Sequence, residues 1–215
     1  GGHSIDSAEP IFGLSVNGLV NKTNIKRNNT AAAGDLIFLT KPIGVGILST
    51  AQKRGLINET DAALMIDQMS LLNTIGEKLG SVDGVTAMTD VTGFGLLGHL
   101  VEMATGAGLS ASIQYSRLPV IEAARNYLTQ RIVPDATYRN WNSYSKLTGF
   151  EKGVPVMEAF NILPDPQTNG GLLFSAHPSA QPAIAKLLVE NGLKDFADPI
   201  GVFTSTGEKT INVQI

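Results

Sequence analysis

Along the chain the spacing of apolar residues changes period several times. IFGLSVNGLV, from Ile11 to Val20, alternates apolar with small or polar positions and predicts a half-buried strand. The polar run NKTNIKRNNT follows and reads as a linker. Leu36-Ile37-Phe38-Leu39, stopped by Lys41-Pro42, predicts a buried strand in a domain that starts near residue 34. Val45, Leu48 and Ala51 recur at helical spacing between Gly44 and Gly55. Met65, Met69, Leu72, Ile75 and Leu79 recur in the same way and predict one long helix from Asn58 to Gly80, with Asn58 as N-cap and Glu59 and Asp61 near its positive end.

The second half predicts a strand at Val85 to Met88, a helix at Phe94 to Ala107 ended near Gly106 and Gly108, and a strand at Leu109 to Tyr115. A helix at Val120 to Gln130 precedes a polar, irregular stretch from Asp135 to Gly153. Leu172 to Ala176 reads as a strand, Ser179 to Asn191 as a helix stopped by Gly192, and Ile200 to Phe203 and Thr210 to Ile215 as short closing strands. Strands and helices mixed without a strict βαβ rhythm, and without an internal repeat, predict an α+β fold rather than a doubly wound sheet.

Composition narrows the function classes. With 43% apolar residues in 215, the chain can bury one substantial core. A formal charge of -3 with no long Lys/Arg run argues against a nucleic-acid partner, which needs clustered positive charge. The absence of Cys removes disulfides, thiolate metal sites and a cysteine nucleophile from this chain. Apolar stretches are interrupted well before the ~18 residues of a membrane helix, so no membrane association and a cytoplasmic location are expected. The opening Gly-Gly-His-Ser-Ile-Asp reads as a turn in mid-protein, so a fragment is expected.

Three segments are candidates for chemistry. Thr89-Asp90-Val91-Thr92-Gly93-Phe94-Gly95-Leu96-Leu97-Gly98-His99 sits between a strand and a helix, where backbone N–H groups and the helix dipole suit a phosphate. Asp90, at the strand end, could hold Mg²⁺ against that phosphate. The alternative is that Asp90 and Thr92 only cap the helix and the glycines only turn the chain. His99 lies in the first turns of that helix, and a structural role competes with a catalytic one; His177 reads as a loop residue. Leu163-Pro164-Asp165-Pro166-Gln167-Thr168-Asn169-Gly170-Gly171 reads as a stiff connector, the functional alternative being that it holds Asp165 and Gln167 beside a cleft. Thr40-Lys41-Pro42-Ile43-Gly44-Val45-Gly46 offers a lysine that could face a phosphate, against the reading that its glycines serve close strand–helix packing. No Gly-Lys-Ser or Gly-Lys-Thr marks a Walker loop.

Taken in order, GGHSID at residues 1–6, FLTKPIGVGIL at 38–48, MTDVTGFGLLGHLVEM at 88–103 and DPQTNGG at 165–171 resemble the selenophosphate synthetases, or selenide, water dikinases. The wider superfamily includes aminoimidazole ribonucleotide synthetase, the hydrogenase-maturation ATPase and thiamine-monophosphate kinase. TDVTGFG and DPQTNGG, with Asn169 where Ser is more usual, point to the selenide branch. The resemblance implies the C-terminal α+β domain of that superfamily, a mixed sheet covered by helices, at residues 34–215. A linker would occupy 21–33, and residues 1–20 would be the last strands of an N-terminal ATP-binding domain.

It also implies synthesis of selenophosphate from ATP, selenide and water with release of AMP and orthophosphate, in a Mg²⁺-dependent homodimer. Asp90 matches the family's metal-binding aspartate, and Gly1, Gly2 and His3 match a nucleotide-contacting stretch. The family's reactive Cys or selenocysteine and its Lys would lie in an N-terminal segment, so no catalytic residue is expected here and the fragment alone is expected to be inactive. Rival readings are another ATP-dependent enzyme of the superfamily, acting on an amidine, thiamine phosphate or a carbamoyl group, and a non-catalytic domain that binds nucleotide or a partner. An upstream Cys or selenocysteine followed shortly by Lys would discriminate the first, and tight binding of Mg-ATP by the chain alone would favour the second.

Overall fold

The computed structural model describes residues 6, 8, 9, 11 and 13–215. Its strands are β1 (Leu36–Leu39), β2 (Val85–Asp90), β3 (Ser110–Gln114), β4 (Thr148–Phe150), β5 (Leu172–Ala176), β6 (Gly201–Thr204) and β7 (Ile211–Gln214). They form one mixed sheet in the order β2-β5-β1-β6-β3-β7-β4. The pairs β2–β5, β5–β1, β1–β6 and β6–β3 are antiparallel, whereas β3–β7 and β7–β4 are parallel. The helices are α1 (Val45–Lys53), α2 (Glu59–Ser70), α3 (Ile75–Gly80), α4 (Gly95–Ala107), α5 (Glu122–Thr129), α6 (Asp135–Tyr144), α7 (Val156–Ile162) and α8 (Gln181–Glu190). The architecture is the expected α+β.

Strand alternation divides the core in two. Ile37, Leu39, Ala87, Ile113, Leu173, Phe203 and Val213 face one side, where α1, α4, α5 and α7 add Ile47, Leu48, Leu96, Leu100, Ala124 and Ile162. Phe38, Val85, Phe174 and Ala176 face the other side, covered by Ile75 and Leu79 of α3 and Ile184 and Leu188 of α8. Phe38 and Phe174 are register partners whose rings stack 4.9 Å apart. That pairing adds about 1 kcal/mol beyond area burial. The run Leu36–Leu39 is apolar throughout because β1 is covered on both faces, whereas an edge strand would alternate.

Three expectations are corrected. Ile11 and residues 13–20 form no strand; Leu14, Val16 and Leu19 are 78%, 87% and 106% exposed. A period-two pattern folds as a strand only where it pairs with a neighbouring edge, and among the described residues this segment pairs with none. The predicted helix from Asn58 to Gly80 is two helices, broken at Leu71, whose backbone turns extended at φ -69° and ψ 119°. The Asn58 cap is present, its Oδ1 accepting the Asp61 N–H at 2.8 Å. The stretch 135–153 is ordered, with α6 and β4 held by Trp141 packing on Phe150 and Phe160 rather than by an aliphatic stripe.

The polar run after residue 20 is laid along the β2 edge of the sheet. Arg27 C=O accepts from Met88 N–H at 3.1 Å and Thr30 Oγ1 donates to Thr86 C=O at 2.7 Å. Asn24 donates to Ser81 and Asn28 to Glu102, each at 3.0 Å. These contacts cover part of the β2 edge, which would otherwise present unpaired main-chain groups.

Candidate functional site

Three of the glycine-rich turns converge at one end of the sheet. The turn after β2 is joined to the 163–171 segment by Val91 N–H to Gly171 C=O at 2.9 Å, Gln167 N–H to Thr92 C=O at 3.0 Å and Leu97 N–H to Leu163 C=O at 2.9 Å. Asn140 on α6 bridges them, its amide donating to Gly93 C=O at 2.8 Å and Pro164 C=O at 3.0 Å. Gly170 is required at this seam, since a Cβ there would run into the Val91 carbonyl. The N-terminus of α4 therefore faces the Pro164–Asp165 turn, with one of its N–H groups already satisfied by Leu163, and is not an open phosphate cradle.

The third turn is held by side chains that cross from the same segment. Gln167 Oε1 accepts from Gly44 N–H and Val45 N–H, both at 3.2 Å, and Asp165 Oδ2 accepts from Gly46 N–H at 3.0 Å. The Gln167 amide donates to Asp165 Oδ2 and to the Asp165 carbonyl, both at 2.8 Å. Asp165 and Gln167 are thus an N-cap for α1 supplied from far along the chain, a role Gly44 has no side chain to fill. Burial pushes the Asp165 carboxyl up to about 8, against the Gln167 and Gly46 hydrogen bonds and the nearby Ile47 N–H, which favour its charge. The Ile47 N–H lends field only, because Oδ1 has no partner of ordinary hydrogen-bond geometry. Neither residue borders a cleft: Asp165 is 0% and Gln167 4% exposed.

Lys41 is buried as well and does not face an open phosphate site. Its Nζ donates to Leu71 C=O at 2.6 Å and Asn169 C=O at 2.8 Å, and desolvation holds its ammonium below the usual lysine range. Asn169 sits at a positive φ of 50° and donates its amide to Met69 C=O and Leu71 C=O, each at 2.8 Å. Together they satisfy carbonyls at the C-terminus of α2, where a cation is also favoured by the helix dipole. These bonds hold the end of α2 at Leu71, where the long apolar periodicity runs on but the helix does not.

His99 is buried against the turn that precedes its helix. Its Nε2 accepts from Thr92 N–H at 3.1 Å and lies 3.2 Å from Thr92 Oγ1, fixing the turn that follows Asp90. An accepting Nε2 puts the ring proton on Nδ1, which lies 3.7 Å from Glu102. Burial lowers its pKa, with Glu102 and Asp90 pulling it partly back, so the ring is neutral at pH 7. His177 is a loop residue, its Nδ1 accepting from Ser179 N–H at 3.3 Å.

Asp90, the metal candidate, remains accessible. It ends the edge strand β2, is exposed, and its carboxylate forms no hydrogen bond or ion pair among the described residues. It borders an open groove of about 520 Å³ between the β2 edge and the strap at residues 20–26, shared with Lys26, Asn73, Thr89 and Met88. Among the described residues no three His, Cys, Asp or Glu side chains converge. A single free carboxylate fits Mg²⁺ when phosphate oxygens and water complete the shell, and fits poorly the metals that require several protein ligands. Gly1, Gly2 and His3 lie outside the described residues. Lys26, Asn73 and Asn140 were passed over in the sequence because isolated polar residues carry no periodic signal; only the pairing of Lys26 with a turn-forming NKTN run hints that the strap is built.

Among the described residues no helix is long and apolar enough to cross a membrane. The model of the AIR synthase related protein C-terminal domain matches residues 32–214. Selenide, water dikinase of Pseudomonas putida is 45% identical over 213 residues, 99% of this chain and 60% of its own length. The protein of the same name from Pseudomonas aeruginosa is 48% identical over 202 residues, 94% of this chain and 57% of its own. The chain thus spans about 60% of the length of the curated relatives it matches. Among solved structures, thiamine-monophosphate kinase from Stenotrophomonas maltophilia K279a superposes with TM-score 0.61 at 16% identity, covering 90% of this chain and 54% of that one. Hydrogenase maturation protein HypE in complex with ATP gives TM-score 0.61 at 22% identity, covering 85% of this chain and 46% of that one. At such identities these two likenesses speak for the fold alone. With the family model covering the whole sheet and α1 to α8, the chain belongs to the AIR synthase related proteins as their C-terminal domain.

Proposed function

We propose that the whole protein is a selenide, water dikinase, which forms selenophosphate from selenide, ATP and water and releases AMP and orthophosphate. The observation that carries this reading is the identity of 45% and 48% to relatives bearing that name, spread over 99% and 94% of the chain. Asp90 supports it, because phosphoryl transfer needs charge neutralisation and positioning more than covalent chemistry. In this reading residues 34–215 are the C-terminal domain, 21–33 the connection, and 1–20 the end of an ATP-binding domain. Gly1, Gly2 and His3 contribute to the nucleotide site, and the enzyme is a cytoplasmic homodimer.

Bound Mg²⁺ supplies neutralisation of the phosphate charge. Asp90 gives it one hard oxygen ligand from an edge strand whose end is fixed by the Val91–Gly171 bond and by the His99–Thr92 pair. The reactive Cys or selenocysteine and its Lys belong to an upstream segment, so this chain alone positions the metal and does not turn over. The test is to express the complete reading frame beside the 215-residue chain and measure AMP release from ATP with and without selenide. Selenide-dependent AMP from the complete protein alone is expected; its absence there overturns the activity, and its presence in the chain alone overturns the division of roles.

A further inference from the structure

The groove that Asp90 borders is also lined by a lysine. Lys26 lines the wall contributed by the strap, and neither it nor Asp90 is in an ion pair among the described residues. A carboxylate and an ammonium sharing a groove ordinarily close on one another unless the backbone holds them apart. Here the strap is fastened on both sides of Lys26, by Asn24 to Ser81 at 3.0 Å and by Arg27 C=O to Met88 N–H at 3.1 Å. The upstream turn is itself capped, Asn21 Oδ1 accepting from Thr23 N–H at 3.2 Å. Lys26 is therefore half-buried on a braced segment rather than free on the surface.

We propose that Lys26 is a phosphate-binding residue of this site, donating to an oxygen of a polyphosphate chain whose Mg²⁺ is held by Asp90. The groove offers the two complements such a ligand requires: a hard anionic oxygen for the cation and an ammonium for the phosphate charge left over. A simple anion would be repelled by Asp90 and a bare cation by Lys26, so the pair selects a metal–phosphate complex over either component. The inference rests on the reading of Asp90 as a metal ligand, and it concerns binding, so it is separable from the selenide chemistry.

Isothermal titration of the 215-residue chain with inorganic tripolyphosphate, with and without Mg²⁺ at fixed ionic strength, tests it. Binding that needs Mg²⁺ is expected, weakened roughly tenfold in Lys26→Met, the worth of one charge-assisted bond. Lys26→Arg should restore most of it, and Lys22→Met, on the same strap but outside the groove, should change nothing. Circular dichroism of each variant checks that the fold is kept. Wild-type chain that binds no tripolyphosphate, or Lys26→Met that binds as the wild type does, overturns the proposal. A loss shared equally by Lys22→Met reduces Lys26 to general charge and overturns it too. A complete protein that releases no selenide-dependent AMP, with Lys26-dependent binding intact, sinks the proposed reaction and leaves this inference standing.

Discussion

Gln167 donates its side-chain amide to the Asp165 carboxylate at 2.8 Å, and its own carbonyl oxygen receives two N–H groups from the start of α1. Removing the Gln167 side chain leaves those donors buried without acceptors. Gln167→Ala should cost about 2–4 kcal/mol in urea denaturation, from a lost cap and unpaired buried groups. A cost within experimental error would show that the cap does not hold α1.

Asp165 gives a pH signature. Its carboxyl is raised to about 8 in the fold and titrates near the ordinary ~3.9 in the unfolded chain. The folded protein therefore binds the extra proton between those values, and stability from this group is complete below the unfolded pKa and lost as pH rises through the folded one. Asp165→Asn mimics the protonated form, so the difference in unfolding free energy between wild type and variant should shift in the variant's favour from pH 5 to pH 8. A difference that does not change with pH would contradict the assignment.

His99 behaves in the opposite sense. Its pKa is lowered by burial, so its contribution is present above the ordinary His value and lost as pH falls through the folded one. Wild type should lose stability on acidification relative to His99→Gln, in which no ring charges. A second readout separates position from stability: His99→Ala, without the acceptor for Thr92 N–H, should weaken Mn²⁺ binding at Asp90 measured by electron paramagnetic resonance. Unchanged Mn²⁺ affinity in a folded His99→Ala would remove the histidine from the positioning of the site.

Much of the fold was legible because periodicity reports burial: β1, β5, α1 and α4 lie where the apolar spacing places them. The break at Leu71 was not, since Leu72 and Ile75 keep helical spacing across it, and its cause is hydrogen bonding from Lys41 and Asn169, far off in sequence. α6 was missed because it buries Thr137, Asn140 and one side of Trp141 instead of aliphatic residues. In the site, each glycine-rich block announces a turn, but the convergence rests on contacts between residues 119 and 123 positions apart, such as Gly46 with Asp165 and Gly44 with Gln167. Local pattern is blind to such pairs, and so a stiff connector and a cleft wall were both open for Asp165 and Gln167, when they are buried caps. Asp90 was identified correctly as the end of a strand because strand, turn and helix follow one another within a few residues.

Exposed Leu14, Val16 and Leu19 carry another expectation. An apolar segment with unpaired backbone promotes association. The 215-residue chain should show concentration-dependent association by analytical ultracentrifugation, and a version beginning at Asn21 should sediment as a monomer. Equal behaviour of the two would clear this segment of any interface role.

In the proposed reaction this domain brings Asp90 to the phosphates as a metal ligand. The most direct test is Asp90→Asn in the complete reading frame, followed by selenide-dependent AMP release and by Mn²⁺ binding on the same preparation. The variant should fold, lose at least ~100-fold in AMP release, as expected when charge stabilisation at a phosphoryl-transfer site is removed, and bind Mn²⁺ measurably more weakly. An Asp90→Asn enzyme with wild-type turnover and wild-type Mn²⁺ affinity would contradict it.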